Sequence, residues 1–439
     1  MTTPSAALPL APPHAPHAPS LDPTTPLLLL GGGANGVAVA RNLAPKGVRV
    51  SVAGGPGAWA RRSRHVDRVW SWPATDLAGR WRALLLGPDR ALDGHMVWPL
   101  CDDSIAFVAQ HRDALAERYL LEGFRPDLRL AMLDKRDTLA RARAAGVDTP
   151  KFWTIRTAAD LRRYAAELAF PMVVKPVHSH LFIPVFGRKL FIVEDMADLR
   201  DKIAQTAEHG IEVVAQELIP GPDSLLSSFY TYIDERGARL FDYTKRVIRR
   251  YPVMRGGGCF HQSVWLPETA AAGRRFFEGI GWQGMGNVEF KRDPRDGRLK
   301  LIECNPRFTA AHALVTASGV PIDEMIYRHL TGQPVEAASQ TAEDLRLWTP
   351  TRDLMAFLSL RARGELTLSE WIGSLREGRH VRSTFSLSDP SPALLSLSQE
   401  IKRTLGRAKG AARVRPSSAK PEAPTTSFSG PEVPVAESR

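Results

Sequence analysis

Apolar and polar positions repeat with two different periods along the chain. "PLLLLGG", from Pro26, is a short continuous apolar run bounded by glycine, as expected of a buried strand. "ANGVAVARNLAPKG" then follows helical spacing and closes at Gly47, and "VRVSVAGG" reads as another strand. "HMVWPLCDD" predicts one more strand, and "SIAFVAQHRDALAERY" a helix behind it. Strand–helix alternation of this kind predicts a mostly parallel sheet.

The pattern changes further on. "DKRDTLARARAAGVDTP" predicts a helix ending at Gly146, with Pro150 beyond it as a stop signal. "PMVVKPV" and "IEVVAQELIPG" predict strands on either side of the helix "EDMADLRDKIAQTAEHG". After Gly221 the strands come in pairs. "SLLSSFYTYIDERGARLFDYTKRVIRRYP" turns at Asp234–Gly237, and "GMGNVEFKRDPRDGRLKLIECNPRF" turns at Asp293–Gly297. Antiparallel hairpins after parallel units predict an α+β body following an α/β one. The expected division is a leader over 1–25, a first domain over 26–130 and a second over 131–335, itself split into 131–215 and 216–335. A helical section over 336–406 and a basic tail over 407–439 complete it. The leader and tail have the composition of disordered segments.

Composition changes this picture only in detail. The chain has 439 residues, 44% of them hydrophobic, which is ordinary for a globular protein of two or three domains. Its formal charge is +11, but the stretch Ile401–Arg439, with eight Lys/Arg and three Glu, supplies +5 of it. Scattered cations in such a tail are a weak basis for nucleic-acid binding, whereas a basic cleft suits phosphate-rich small molecules equally well. Cys101, Cys259 and Cys304 lie far apart without metal-ligand spacing, which fits a reducing cytoplasm. No run reaches the roughly 20 apolar residues of a membrane span, and the proline-rich start lacks the basic and apolar regions of a signal peptide.

Two motifs compete for a nucleotide. Gly31-Gly32-Gly33-Ala34-Asn35-Gly36 satisfies G-x-G-x-x-G, but a dinucleotide site also needs an acidic residue at the end of the second strand. Here that strand ends "SVAGGPG", so the glycines read as a tight strand-to-helix turn that touches a substrate at most. The second motif is stronger. Glu289 and Glu303 fall in adjacent strands of one hairpin, and Asn305, two residues on, shares the face of Glu303. Two carboxylates and a carboxamide oxygen suit Mg²⁺, and Arg307, again two residues on, adds a fixed cation. Lys175 at the end of an apolar strand and Lys135 at the start of a helix are both placed to meet phosphate. His178 and His180 alternate as zinc ligands do, but without a third ligand they read as cleft-lining residues.

This ordered set resembles the ATP-grasp superfamily of carboxylate–amine ligases, over roughly Pro26 to Gly406. It looks closest to the carbamoyl-phosphate-synthase-like branch that includes D-aspartate ligases. The resemblance implies an α/β and α+β architecture: an ATP-grasp fold behind an N-terminal, Rossmann-like pre-ATP-grasp domain. "GGGANG" would be the first turn of that domain, with Gly33 and Asn35 near the acceptor substrate, as His178 and His180 would be. Lys135 and Lys175 correspond to the two ATP lysines. "VAQELIPG" resembles the adenine hinge, with Glu217, Leu218 and Ile219 beside the base and Asp223 toward the ribose. Glu289, Glu303 and Asn305 correspond to the metal triad, with Mg²⁺, or Mn²⁺ in its place, as cofactor beside ATP. Arg307 and Arg249 would be catalytic, and Lys189 would take part of the phosphate-covering role. The departures are the missing long glycine-rich phosphate loop and Val247 where a basic residue is expected.

The implied activity is activation of a carboxylate as an acyl phosphate and its coupling to an amine, with release of ADP and phosphate. Small-molecule carboxylate and amine substrates, a cytoplasmic location, no membrane and a homodimer are the partners and setting that go with it. Biotin-carboxylase-like activation of bicarbonate is the first alternative, though the chain has no Met-Lys-Met biotinyl acceptor. A non-catalytic ATP sensor or scaffold is the second, and the complete metal triad speaks against it.

Overall fold

The computed structural model describes residues 20–177, 182, 185–341 and 344–413. Most of the leader and the tail beyond 413 therefore lie outside the described residues. By its contacts the chain divides into Met1–Ser396 and Leu397–Arg439, and everything that follows concerns the first of these units.

The first sheet contains β1 (Leu27–Leu30), β2 (Val50–Gly54), β3 (Arg68–Ser71) and β4 (Met96–Pro99). Its strands are all parallel and run in the order β3-β2-β1-β4, the arrangement of half a doubly wound sheet. All four leucines of β1 are fully buried, which explains why the strand reads as an unbroken apolar run. The second sheet is antiparallel, with β5 (Phe152–Trp153), β6 (Met172–Pro176), β7 (Phe191–Val193) and β8 (Val213–Glu217) in the order β5-β8-β6-β7. Trp153, Met172, Val174, Phe191 and Val193 form its core with Leu199 of the helix Met196–Glu208.

The third sheet is the largest. It holds β9 (Leu226–Ile233), β10 (Arg239–Tyr251), β11 (Gly257–Ser263), β12 (Gly284–Arg292), β13 (Leu299–Asn305), β14 (Ala338–Ser339), β15 (Leu345–Trp348) and β16 (Arg379–Arg382). Its order is β13-β12-β9-β10-β11-β15-β16, with β14 beside β10. One face is apolar: Phe229, Val288, Phe290, Leu301 and Cys304 pack on Phe276 and Phe277 of the helix Pro267–Gly279. The other face carries Ser228, Lys245, Glu289 and Glu303 at one end, and at the other Tyr230, Tyr232, Tyr243 and Met285 pack with residues of the first domain. The section after 336 is helical with an addition, because β15 and β16, on either side of the helices Pro350–Arg361 and Leu368–Arg376, extend this sheet. Four-residue strands set among helical patterns are too short to register a period of two. Among the described residues, no helix is long and apolar enough to cross a membrane.

Candidate functional site

Register places the acidic residues. Glu289 of β12 is the direct cross-strand partner of Glu303 of β13, and Asn287 is the partner of Asn305. Residues directly opposite each other in an antiparallel pair share a face, so all four stand on the polar side of the large sheet. The row continues inward through Ser228 of β9 to Lys245 of β10. Lys245 is buried, donates to Ser228 Oγ at 2.9 Å and lies 3.3 Å from His261 Nδ1. Burial pushes its ammonium down to about 8, against the support of Glu289.

Asn287 fixes the orientation of Asn305. The Asn287 amide donates to the Phe229 carbonyl at 3.0 Å, which turns its own oxygen toward Asn305. Asn305 Nδ2 donates to that oxygen at 3.1 Å, so the Asn305 carbonyl oxygen is the end left toward the cleft. Two carboxylates with an outward carboxamide oxygen are the hard donor set that Mg²⁺ prefers. The residues present therefore fit the expected metal.

The cations surround these acids. Lys135, the first residue of the helix Lys135–Ala144, lines one small cavity with Asp102, Thr138, Glu303 and Asn305. Burial works to raise Glu303, but Lys135, Lys189 and Lys175 outweigh it and hold the carboxyl below its ordinary range. Lys175, at the end of β6, is pushed down to about 8 by burial, partly opposed by Glu303. Lys189 is exposed at the edge of this field. Arg307 is held through Nε by Asp102 Oδ1 at 2.7 Å. Thus Lys135, Lys175, Lys189, Arg307, Glu289, Glu303 and Asn305 form one neighbourhood.

Other candidates have different surroundings. Arg249 is buried in a bidentate pair with Asp353 at 2.6 and 3.1 Å, donates to Ser374 Oγ and lies over the Phe260 ring. Its guanidinium joins β10 to the C-terminal helices and is not free for phosphate or substrate. Irregularities in β10 around Val247–Arg250 reset the alternation, and the next residue, Arg250, is the one that reaches Asp223 at 2.7 Å and exerts its charge on Lys175. Asp223, expected at the ribose, is thereby already paired. The Glu217 carboxylate accepts from Lys151 N and pairs with Arg295, and the Glu217 N–H donates to Lys151 O at 2.8 Å. The hinge is itself latched: Lys291 of β12 donates to the carbonyls of Ile219 and Gly221, both at 2.9 Å, next to half-buried Leu218.

The glycine turn is filled by protein. Gly31 and Gly32 have φ of +75° and +89°, and a Cβ on either would collide with Cys101 or Leu100. Trp59 lies over Gly33, and the Asn35 amide donates to Leu100 O and Phe308 O, both at 2.9 Å. Asn35 therefore joins the first domain to the loop after β13 instead of presenting its amide to a ligand. His178 and His180 lie outside the described residues. Asp102, Asn287, Arg250 and Lys291 escaped the sequence reading.

A parallel first domain, an antiparallel β5–β8 sheet and a large sheet carrying two opposed glutamates beside buried lysines make up the ATP-grasp fold. The chain carries the ATP-grasp fold and is similar in sequence to ligases that have it. Residues 268–337 match the family described as carbamoyl-phosphate synthase L chain, ATP binding domain. The chain is similar to the D-aspartate ligase of Enterococcus faecium, 25% identical over 313 residues that cover 66% of this chain and 72% of that one. It is also similar to the carbamoyl phosphate synthase large chain of Rubrobacter xylanophilus, 26% identical over 211 residues, 44% of this chain but only 18% of that one. Among solved structures, the ADP complex of N5-carboxyaminoimidazole ribonucleotide synthetase shares the fold, with a TM-score of 0.56, 14% identity and coverage of 74% of this chain and 81% of that one.

Proposed function

We propose that this chain is an ADP-forming ligase that couples a small carboxylate to an amine, with an amino acid as one partner. The observation that carries the reading is the direct opposition of Glu289 and Glu303 beside Lys135 and Lys175, with the Asn305 oxygen turned to the same side. Glu289, Glu303 and Asn305 would hold Mg²⁺, or Mn²⁺ in its place, and the ion would supply charge neutralisation for the phosphates. Lys135, Lys175 and Lys189 offset the remaining charge of ATP, whose base lies along Glu217–Ile219. A substrate carboxylate oxygen attacks the γ-phosphorus, the bond to ADP breaks, and an acyl phosphate forms. An amine then attacks the acyl carbon, phosphate leaves, and an amide results. Positioning and electrostatics suffice for both steps, so no nucleophilic side chain is required. Residues 26–130 form the acceptor-side domain in this reading, and 131–335 the ATP-binding body. Three free cysteines agree with a cytoplasmic setting, and a homodimer is the expected assembly.

The test is ADP and AMP release from MgATP against pools of amino acids and small carboxylic acids. Pool-dependent ADP without AMP is expected, and AMP would point to adenylation and overturn the mechanism. Glu303→Gln should abolish ADP release with an unchanged melting temperature, whereas undiminished turnover would remove Glu303 from the metal site.

A further inference from the structure

Asp102 belongs to the first domain, yet it reaches the phosphate end of the cleft. It is the first residue of the helix Asp102–Gln110, which starts directly behind β4. Its carboxylate lines the same small cavity as Lys135, Glu303 and Asn305. There it accepts the Nε–H of Arg307 at 2.7 Å, across 205 positions of sequence.

The geometry of that bond matters. A guanidinium is planar, so an anchor at Nε fixes the direction of its two terminal amino groups. In Arg307, Nη1 is only at the limit of hydrogen bonding to Phe308 O, at 3.5 Å, and Nη2 donates to no protein group among the described residues. Those terminal groups are the ones able to meet a phosphoryl oxygen. Asp102 also shares the electrostatic field of Lys135 and Lys189, so it tempers the positive charge there before any anion arrives. The chain just before it adds to the positioning, because Leu100 O, two residues earlier, accepts from the same Asn35 amide that donates to Phe308 O. Arg307 is thus oriented from the first domain, by one carboxylate and one carboxamide.

We propose that Asp102 is a positioning residue for Arg307, holding its guanidinium at Nε so that the Nη edge faces the transferring phosphoryl group. The inference rests on the ligase reading of the site, in which Arg307 meets that group. It assigns the first domain a part in the ATP half-reaction as well as in acceptor binding.

The test compares the full chain with Asp102→Asn, Arg307→Ala and the double variant. Affinity is measured for MgADP and for MgADP with aluminium fluoride, a mimic of the phosphoryl group in flight, and kcat and KM are measured with a pool that supports ADP release. Loss of a partner that orients a metal ligand typically lowers affinity or activity about 10- to 100-fold, and an orienting partner of Arg307 is expected to act on the same scale. Asp102→Asn should lose about that factor in kcat and in aluminium-fluoride-dependent affinity, with MgADP affinity and the KM for ATP within about threefold of the parent. The double variant should be no worse than Arg307→Ala alone. Penalties that add in the double variant, or an unaffected Asp102→Asn, would overturn the inference. Should the asparagine variant fold poorly, Asp102→Glu keeps the charge and the helix start, and it must retain more aluminium-fluoride-dependent affinity than Asp102→Ala. A parent chain that binds MgADP but releases no ADP with any pool would sink the ligase reading. The aluminium fluoride comparison would then still decide the role of Asp102.

Discussion

Lys175 shows what a single position can carry. It ends an apolar strand, and burial lowers its ammonium to about 8 where an unfolded chain would hold it near 10.5. The unfolded chain therefore binds that proton more tightly, and the contribution to folding stability rises with pH between these two values. Binding of a triphosphate works in the opposite sense, since the polyanion favours the charged lysine. MgATP affinity should fall by roughly tenfold or more between pH 7.5 and 9.5, with proton uptake visible by calorimetry in two buffers of different ionisation heat. Lys175→Met should weaken binding at pH 7.5 and flatten the slope, whereas a flat profile in the parent would show that Lys175 does not meet the phosphates. Lys135 and Lys175 were legible in the sequence because a cation at a strand end or a helix start needs an anion. Arg249 was misleading for a physical reason: irregular pairing in β10 resets its alternation, and spacing alone does not tell Arg249 from Arg250. Asp102 was hidden because its partner lies 205 positions away.

At the scale of elements, the β12–β13 hairpin and the segment Glu217–Gly221 form one assembly. Lys291 of β12 donates to the carbonyls of Ile219 and Gly221, and Arg295 in the following turn pairs with Glu217. The turn is clamped in its own right, because buried Asp293 accepts from Arg295 and Lys300 at 2.5–2.8 Å. These contacts hold the distance between the β12–β13 hairpin and the segment Glu217–Gly221. Lys291→Met should strand two carbonyls, with a stability loss of roughly 2–4 kcal/mol in urea unfolding. It should also raise the Kd for MgADP, since the hinge is no longer held. Unchanged MgADP binding in a folded Lys291→Met chain would separate the hinge from the hairpin. The hairpins themselves were legible, because Asp/Gly turns between apolar runs have few other solutions. The strands β15 and β16 were not, since nothing local distinguishes four extended residues between helices.

The first domain meets the ATP-grasp body through a core shared by β1, β2, β9 and β10, and the glycine turn lies at one edge of that contact, which answers what G-x-G-x-x-G does in this chain. Leu100, Cys101 and Trp59 occupy the space around Gly31–Gly33, so the turn serves packing. The sequence order of an α/β unit followed by α+β hairpins was legible, but the docking of one on the other was not, because it depends on a few side chains such as Asn35. Asn35 donates to Leu100 O in the first domain and to Phe308 O behind β13, while its own oxygen accepts from Gly36 N at 3.0 Å. Asn35→Asp preserves the shape and the Gly36 contact but turns an acceptor toward two carbonyl oxygens. It should destabilise the chain by more than Asn35→Ala does, by about 1–3 kcal/mol, because a buried acceptor facing acceptors is worse than a small void. The loop it releases carries Phe308 next to Arg307, so kcat should fall as well. MgADP affinity should stay within about threefold, because Lys175 and the hinge belong to a different sheet. An aspartate variant no less stable than the alanine variant would mean that Asn35 merely fills space. Reduced MgADP affinity with kcat intact would mean that the turn, and not the β6–β8 sheet, takes part in holding the nucleotide.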